Sequence, residues 1–330
     1  MMPELISVVI ATRNRAPVLR DTLAAFRQQR HPGGRFELLV ADNGSTDGTR
    51  EAVESWRAAD GAAARYLYVH APGKSLAVNA ALGAVRGDVV AFTDDDVRPH
   101  PDWLAALARA FTDPSVDFVA GRILPIWTVP PPAWMSPALF GVLAVPDNGS
   151  ERQPLRADGG IMPIGANMAV RQRVLTRVGG LCESLGKLEG SLRTGEDHEF
   201  FLRLLSAGCH GVYEPEALVH HLVPAERLRE AYFRRWLYQN GRDVAQLERL
   251  YPPDGRTLAG VPGFRWREAA HDAWAATRAL LTGDVRTRVA ATVRLAWFTG
   301  YVRELASRAA APTQPPRPHG ASSAGPAGWA

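Results

Sequence analysis

Along the first third of the chain the apolar positions change period repeatedly, from near-continuous runs of five or six residues to a helical spacing of three and four. Ile6 to Ala11 is one such run, the pattern of a strand covered on both faces. Thr12-Arg13-Asn14-Arg15 is a polar loop, and Pro17 opens a helix with Leu19, Leu23 and Phe26 on one face. Phe36 to Ala41 forms a second strand ending at Asp42. Asn43-Gly44-Ser45 then turns the chain, and Thr46 or Asp47 caps a helix containing Ala52, Val53 and Trp56. Arg65 to His70 is a third strand, followed by Pro72-Gly73-Lys74-Ser75 and an alanine-rich helix through Ala84. A fourth strand from Val89 delivers Asp94, Asp95 and Asp96, and Pro101 and Asp102 open a helix bearing Trp103, Leu107 and Phe111.

Strands that alternate with helices imply parallel pairing with right-handed crossovers, hence an α/β sheet flanked by helices. Ligands of such sheets sit at the carboxyl ends of the strands, where Asp42 and the Asp94 to Asp96 triplet both fall. Three adjacent carboxylates repel unless a cation sits among them. Oxygen ligands suit Mg2+ or Mn2+, metals that partner diphosphates.

Beyond residue 122 the pattern weakens. Residues 123 to 160 carry Pro130-Pro131-Pro132, Trp127 and Trp134, and read as a long lid or binding loop. The two tryptophans can stack on a sugar face, meet a lipid, or simply pack. Ile161 to Val170 regains a regular pattern, and a helix starts near Gln172. Gly195-Glu196-Asp197 leads into an amphipathic helix with Phe200, Phe201, Leu204 and Leu205. Two short strands, Cys209 to Tyr213 and Ala217 to His221, precede helical segments from Ala225 onward. The proline-, alanine- and serine-rich residues 311 to 330 read as a disordered tail.

Composition narrows the class. A chain of 330 residues can bury a full α/β core, and a net charge of +4 is too small to imply nucleic-acid binding. Two cysteines, Cys182 and Cys209, make neither a disulfide framework nor a cysteine zinc site, and they fit a reducing cytoplasm. The first apolar run is short and lacks a basic flank, so it reads as a strand, not a signal peptide; no run is long enough to span a membrane. Gly73-Lys74-Ser75 lacks the second glycine of a Walker loop, and no G-x-G-x-x-G follows strand one, which argues against a nicotinamide dehydrogenase.

Four stretches and a later acidic pair, in order, resemble glycosyltransferase family 2, the inverting enzymes of the GT-A fold that use nucleotide-sugar donors. They are Ser7 to Arg15, Ala41-Asp42-Asn43-Gly44-Ser45-Thr46-Asp47-Gly48-Thr49, Gly73-Lys74-Ser75 with Asn79, Asp94-Asp95-Asp96 as an aspartate-x-aspartate motif, and Glu196-Asp197 after Gly195. The resemblance covers about residues 5 to 240 and implies a Rossmann-like, mainly parallel mixed sheet. It divides the chain into a nucleotide-sugar half (1–122), an acceptor-side half of the same domain (123–240), a helical extension (241–310) and the tail.

It also assigns roles. Departure of a nucleoside diphosphate needs a divalent metal to offset charge on the phosphates. Asp96 is the first choice as its ligand. Asp94 faces the ribose or the metal's outer shell, as the resemblance implies. Asp95 joins the nucleotide-binding set, unless period-two alternation turns it to the opposite face as a structural residue. Asp42 accepts from the base or ribose, or only turns the chain. Thr12 and Arg15 border the pocket, Arg15 on a phosphate or in a salt bridge. Lys74 either touches the diphosphate or is a solvated loop residue, and Asn79 orders the loop. In related enzymes a histidine completes the metal shell; of His220 and His221, one faces the site, and His221 matches better. Gly121 to Pro125 and Gly165 to Ala169 are expected to flank the sugar and acceptor region, where small residues permit close backbone approach. Asp197 is the expected general base, with a helix cap as its plain alternative, and Glu196 positions the acceptor.

The expected reaction is inverting transfer of a sugar, most simply from a UDP-sugar, to a hydroxyl of a glycan or lipid-linked glycan. A sugar-phosphate nucleotidyltransferase would want a glycine-rich basic loop after strand one, and a carbohydrate-binding module would not need Asp42, Asp96 and Asp197 together. From Trp266 to Ala310, Val285, Val289, Val293, Trp297 and Phe298 alternate with Arg286, Arg288, Arg294 and Arg303. Such a helix either lies on the inner face of a membrane or packs on the catalytic domain.

Overall fold

The computed structural model describes residues 3–30, 35–60, 63–157, 160–187, 191–253 and 255–307. The expected disordered tail lies outside these residues. The chain opens with β1 (Leu5–Thr12), α1 (Ala16–Phe26), β2 (Arg35–Asp42), α2 (Thr49–Asp60), β3 (Ala64–Tyr68), α3 (Lys74–Leu82) and β4 (Val89–Asp94). Then follow β5 (Val97–Pro99), α4 (Trp103–Ala110), β6 (Phe118–Trp127), β7 (Gln153–Leu155), β8 (Asn167–Arg171), α5 (Gln172–Val178), α6 (Glu196–Ser206) and β9 (Gly211–Val223). Three long helices, α7 (Glu230–Leu250), α8 (Gly263–Thr282) and α9 (Val285–Ala306), end the described chain.

One mixed sheet runs β3-β2-β1-β4-β8-β6-β9-β5, with β7 also on β9. The β1–β4 block and the β6–β9 pair are parallel, while β8 runs antiparallel between them. Strand alternation sends Ile6, Val8 and Ile10 to one side, against Leu19, Leu23 and Phe26 of α1 and Trp103 and Leu107 of α4. Val9, with Leu39 and Phe92, faces the other side, against Ala77 of α3, Val174 of α5 and Phe200 of α6. Each such side chain contributes about 1.5–3 kcal/mol by leaving water. Covering both faces of β1, β2 and β4 explains their unbroken apolar runs.

The structure departs from the sequence expectations at several points. Strand four stops at Asp94, and Asp95 and Asp96 form the turn into β5. The long loop begins after Trp127, because β6 continues to that residue; it then contains a 3-10 helix, Pro137–Leu143. The two short strands before the C-terminal helices are one, β9. Pro215 hides its continuity, and the pairing with β6 shifts register there, Gly121 opposite Glu214 but Arg122 opposite Leu218. The boundary expected after residue 122 falls inside β6, so both halves share the sheet, and α7 crosses the one expected after residue 240.

The C-terminal helices take the packing alternative at Val289 and Val293, which are buried in the main core with Phe233 of α7. Their arginines meet protein: Arg294 donates to Asp272 at 2.9 Å, and Arg286 donates to the Ala133 carbonyl at 3.1 Å. Trp127 and Trp134 are packed too, edge-on to Phe140 and Phe233. No helix among the described residues is long and apolar enough to cross a membrane.

Helices α7 and α9 run parallel, with Glu230 near Arg288 at one end and Arg249 near Ser307 at the other. Two glycines let them touch: a Cβ on Gly241 would overlap the Trp297 carbonyl, and one on Gly300 the Tyr238 carbonyl. Gly300→Ala should therefore lower stability by about 1–3 kcal/mol, the usual cost of overpacking. An unchanged thermal midpoint would show that the helices separate without cost.

Candidate active site

The site is assembled where the parallel strands end. Register sets Thr12 beside Asp42 and Ala11 beside Asp94, so β1, β2 and β4 finish at one level. The turn after β4 then spreads its three carboxylates among different partners. Asp95 is buried and accepts from Thr12 Oγ1 at 2.6 Å and from Arg15 Nη1 at 2.6 Å, while its carbonyl accepts from Thr22 at 2.6 Å. It holds the turn in place. Asp94 accepts from Lys74 Nζ at 2.7 Å. Asp96 is also buried; it accepts from Arg15 Nη2 at 2.8 Å and lies 3.2 Å from His221 Nε2.

His221 reaches Asp96 because β5 pairs antiparallel with β9, setting Val97 opposite His221, and because Leu222 N donates to the Asp96 carbonyl at 2.9 Å. His220, the neighbour on β9, is turned away. Asp94, Asp96 and His221 offer ligand atoms that all lie within 4.8 Å of one another. The His221 Nδ1 is buried with no hydrogen-bond partner. Two carboxylates and an imidazole with one unsatisfied nitrogen fit a divalent cation.

Burial pushes all three aspartates upward, and their partners decide the outcome. The Lys74 ammonium overrides burial at Asp94, which ends below the ordinary value. His221, Arg15 and Arg227, the last 3.8 Å away, hold Asp96 well below it. At Asp95 burial wins, and the carboxyl is pushed up to about 6.

Lys74 joins this cluster to the second acidic group, since its charge is also felt by Asp197 and Glu196. Both begin α6. Asp197 Oδ2 accepts from Gly165 N at 2.8 Å, and a Cβ on Gly165 would come within 2.8 Å of Asp197 Oδ1. Only glycine allows that approach. Burial raises the Asp197 carboxyl above the ordinary value, and burial with the neighbouring Asp197 raises Glu196 to about 7. Asp197 receives no cap bond from its own helix among the described contacts; its partner is on the far loop.

Asp42 stands at the same edge but is engaged within the protein, accepting from Tyr66 Oη at 2.6 Å and Ser45 N at 2.8 Å. Arg15, itself half-buried, spans the buried carboxylates of Asp95 and Asp96. Asn79 orders the 181–183 loop, donating to the Leu181 carbonyl at 2.9 Å and accepting from Leu181 N at 2.8 Å. Asp47 accepts from Ala16 N at 2.9 Å as well as from Thr49, so it caps α1 across the loop. Thr22, Tyr66 and Arg227 were not marked by any motif, whereas Gly165 lies in the stretch expected to flank the sugar and acceptor region. Asn167, in that same stretch, donates to the Arg122 and Ala217 carbonyls and accepts from Trp103, locking β8 beside β6 and β9.

The arrangement has counterparts. The family model for glycosyl transferase family 2 matches residues 7–179. The pre-mycofactocin glycosyltransferase of Mycobacterium tuberculosis is 31% identical over 248 residues, 75% of this chain and 48% of that protein. The chain thus spans about half the length of that relative. The succinoglycan biosynthesis protein ExoM of Rhizobium meliloti is 29% identical over 237 residues, 71% of this chain and 72% of that one. Among solved structures, a mannosyltransferase from Pyrobaculum calidifontis in complex with GDP-Man and Mn2+ superimposes with a TM-score of 0.66 at 21% identity, covering 94% of this chain and 89% of that one. GalNAc-T7 with UDP, GalNAc and Mn2+ gives 0.55 at 14% identity, covering 76% and 51%. The two structures share the GT-A fold with it, and by the family model spanning more than half its length this chain belongs to glycosyl transferase family 2.

Proposed function

We propose that the protein is an inverting glycosyltransferase that moves a sugar from a nucleoside-diphosphate sugar to a hydroxyl acceptor. The observation that carries this reading is the Asp94, Asp96 and His221 cluster, joined through Lys74 to Asp197. Asp96 and His221 would hold Mg2+ or Mn2+, with Asp94 beside them; bound there, the metal would supply positive charge for the departing diphosphate. Thr12, Arg15 and Asp95 fix the turn that presents those ligands. Asp42 and Tyr66 border the space for base and ribose.

Asp197 takes the acceptor's proton while that oxygen forms its bond to the anomeric carbon and the bond to the diphosphate breaks. Attack from the face opposite the leaving group inverts the centre. Burial suits Asp197 to this work, because a carboxylate with a raised pKa is the stronger base. Glu196, one residue away, helps to position the acceptor.

Incubation with UDP-, GDP- and dTDP-sugars and Mn2+ tests the class of reaction. Release of free nucleoside diphosphate is the expected result. Release of pyrophosphate from nucleoside triphosphate and a sugar phosphate would point to nucleotidyl transfer instead, and no turnover of any donor would remove the enzyme reading.

A further inference from the structure

Next to these groups a groove of about 660 Å3 opens between α7, α9 and Leu192. From α7 it is lined by Arg234, Arg235, Tyr238 and Gln239, and from α9 by Thr299; among the described residues no carboxylate lines it. Its size suits one or a few sugar units. Both arginines are exposed, and among the described residues neither has a carboxylate partner. Other arginines of these helices are neutralised: Arg242 by Glu304, Arg288 by Glu230 and Arg294 by Asp272. Among the described residues, the two at the groove have no anionic partner.

The groove also lies beside the chemistry. Leu192 leads through Thr194 to Glu196 and Asp197, and this segment is pinned to α7: Thr194 N donates to Asp243 at 2.7 Å, and Asn240 donates to Thr194 Oγ1 at 3.0 Å. The turn that leads into α7 approaches the metal cluster, with Arg227 3.8 Å from Asp96. Leu192 of the groove is thus tied, through the pinned Thr194, to the segment that carries Glu196 and Asp197.

We infer that this groove seats the acceptor, and that the acceptor carries an anionic group, a phosphate or a carboxylate, held by Arg234 and Arg235. Guanidinium forks match both anions bidentately, and Tyr238 offers a flat amphipathic face to an adjoining sugar ring. The inference rests on the glycosyl-transfer reading, since it names the second substrate of that reaction.

Calorimetric titration of the full chain with cellobiouronic acid, cellobiose 1-phosphate and neutral cellobiose tests it, in wild type and in the Arg234→Glu/Arg235→Glu double variant. UDP and GDP with Mn2+ are titrated into both proteins alongside. At least one anionic disaccharide should bind wild type tenfold or more tightly than cellobiose, and the double variant should lose tenfold or more of that affinity while keeping its nucleotide affinity. The uronate and phosphate arms tell which anion is preferred. Equal binding of cellobiose, unchanged anion binding in the variant, or no binding of any disaccharide would overturn the inference. Absence of nucleotide binding in wild type would instead sink the donor site, a separate result. Lysine at both positions, which keeps the charge, should restore most of the anion affinity.

Discussion

Asp197→Asn is expected to lower turnover by about 10²–10⁴-fold while leaving donor affinity intact. The asparagine oxygen can still accept from Gly165 N, which Asp197 does at 2.8 Å, so the loop and the start of α6 stay in place. What disappears is the ability to take a proton. A pure cap role predicts a different result, because asparagine caps helices about as well as aspartate and would leave the rate near normal. The pH profile carries the same signature. The base works only when ionised, and burial raises its pKa, so kcat/KM should fall with decreasing pH along a limb above the ordinary aspartate value of 3.8. Glu196, pushed up to about 7, titrates with it as a pair. Near-normal turnover in the Asn variant would move the base to Glu196.

Asp96→Ala is expected to remove metal-dependent nucleotide binding. Loss of a mere supporting partner costs about 10–100-fold in metal affinity, and loss of a ligand should exceed that. The side chain is buried between Arg15, Arg227 and His221, so its removal also leaves positive charge uncompensated. Asp96→Asn keeps the volume and serves as the gentler variant. If both fold and both bind nucleoside diphosphate with Mn2+ as wild type does, the metal lies elsewhere.

Local signals made the nucleotide half legible. The runs in β1, β2 and β4 are continuous because each strand is covered on both faces, and their polar ends, Thr12, Asp42 and Asp94, mark where the sheet stops. Less was legible where contacts are distant. That His221 touches Asp96 depends on pairing of residues 97–99 with 219–221, for which neither segment carries a local sign. Pro215 split β9 in two because proline ordinarily interrupts a strand, and only the register shift opposite Gly121 accommodates it. Gly165 was expected to permit a close approach, but that the approaching group is the Asp197 carboxylate is a tertiary contact with no local sign. The helical stripe ending in Phe298 fitted a membrane or a core equally well, since both are apolar; the burial of Val289 and Val293 reflects tertiary packing.

If Asp94, Asp96 and His221 form a metal-dependent nucleoside-diphosphate site, nucleotide should stabilise the protein only when the metal is present. Thermal unfolding of the wild-type chain with UDP, GDP or dTDP, each with Mn2+ and again with excess chelator, tests it most directly. A nucleotide present at about 100 times its dissociation constant should add about 2.7 kcal/mol of stability. A clear upward shift in melting temperature is expected for at least one nucleoside diphosphate with Mn2+, largely lost with chelator. The same shift in chelator, or none with any nucleotide, would contradict it.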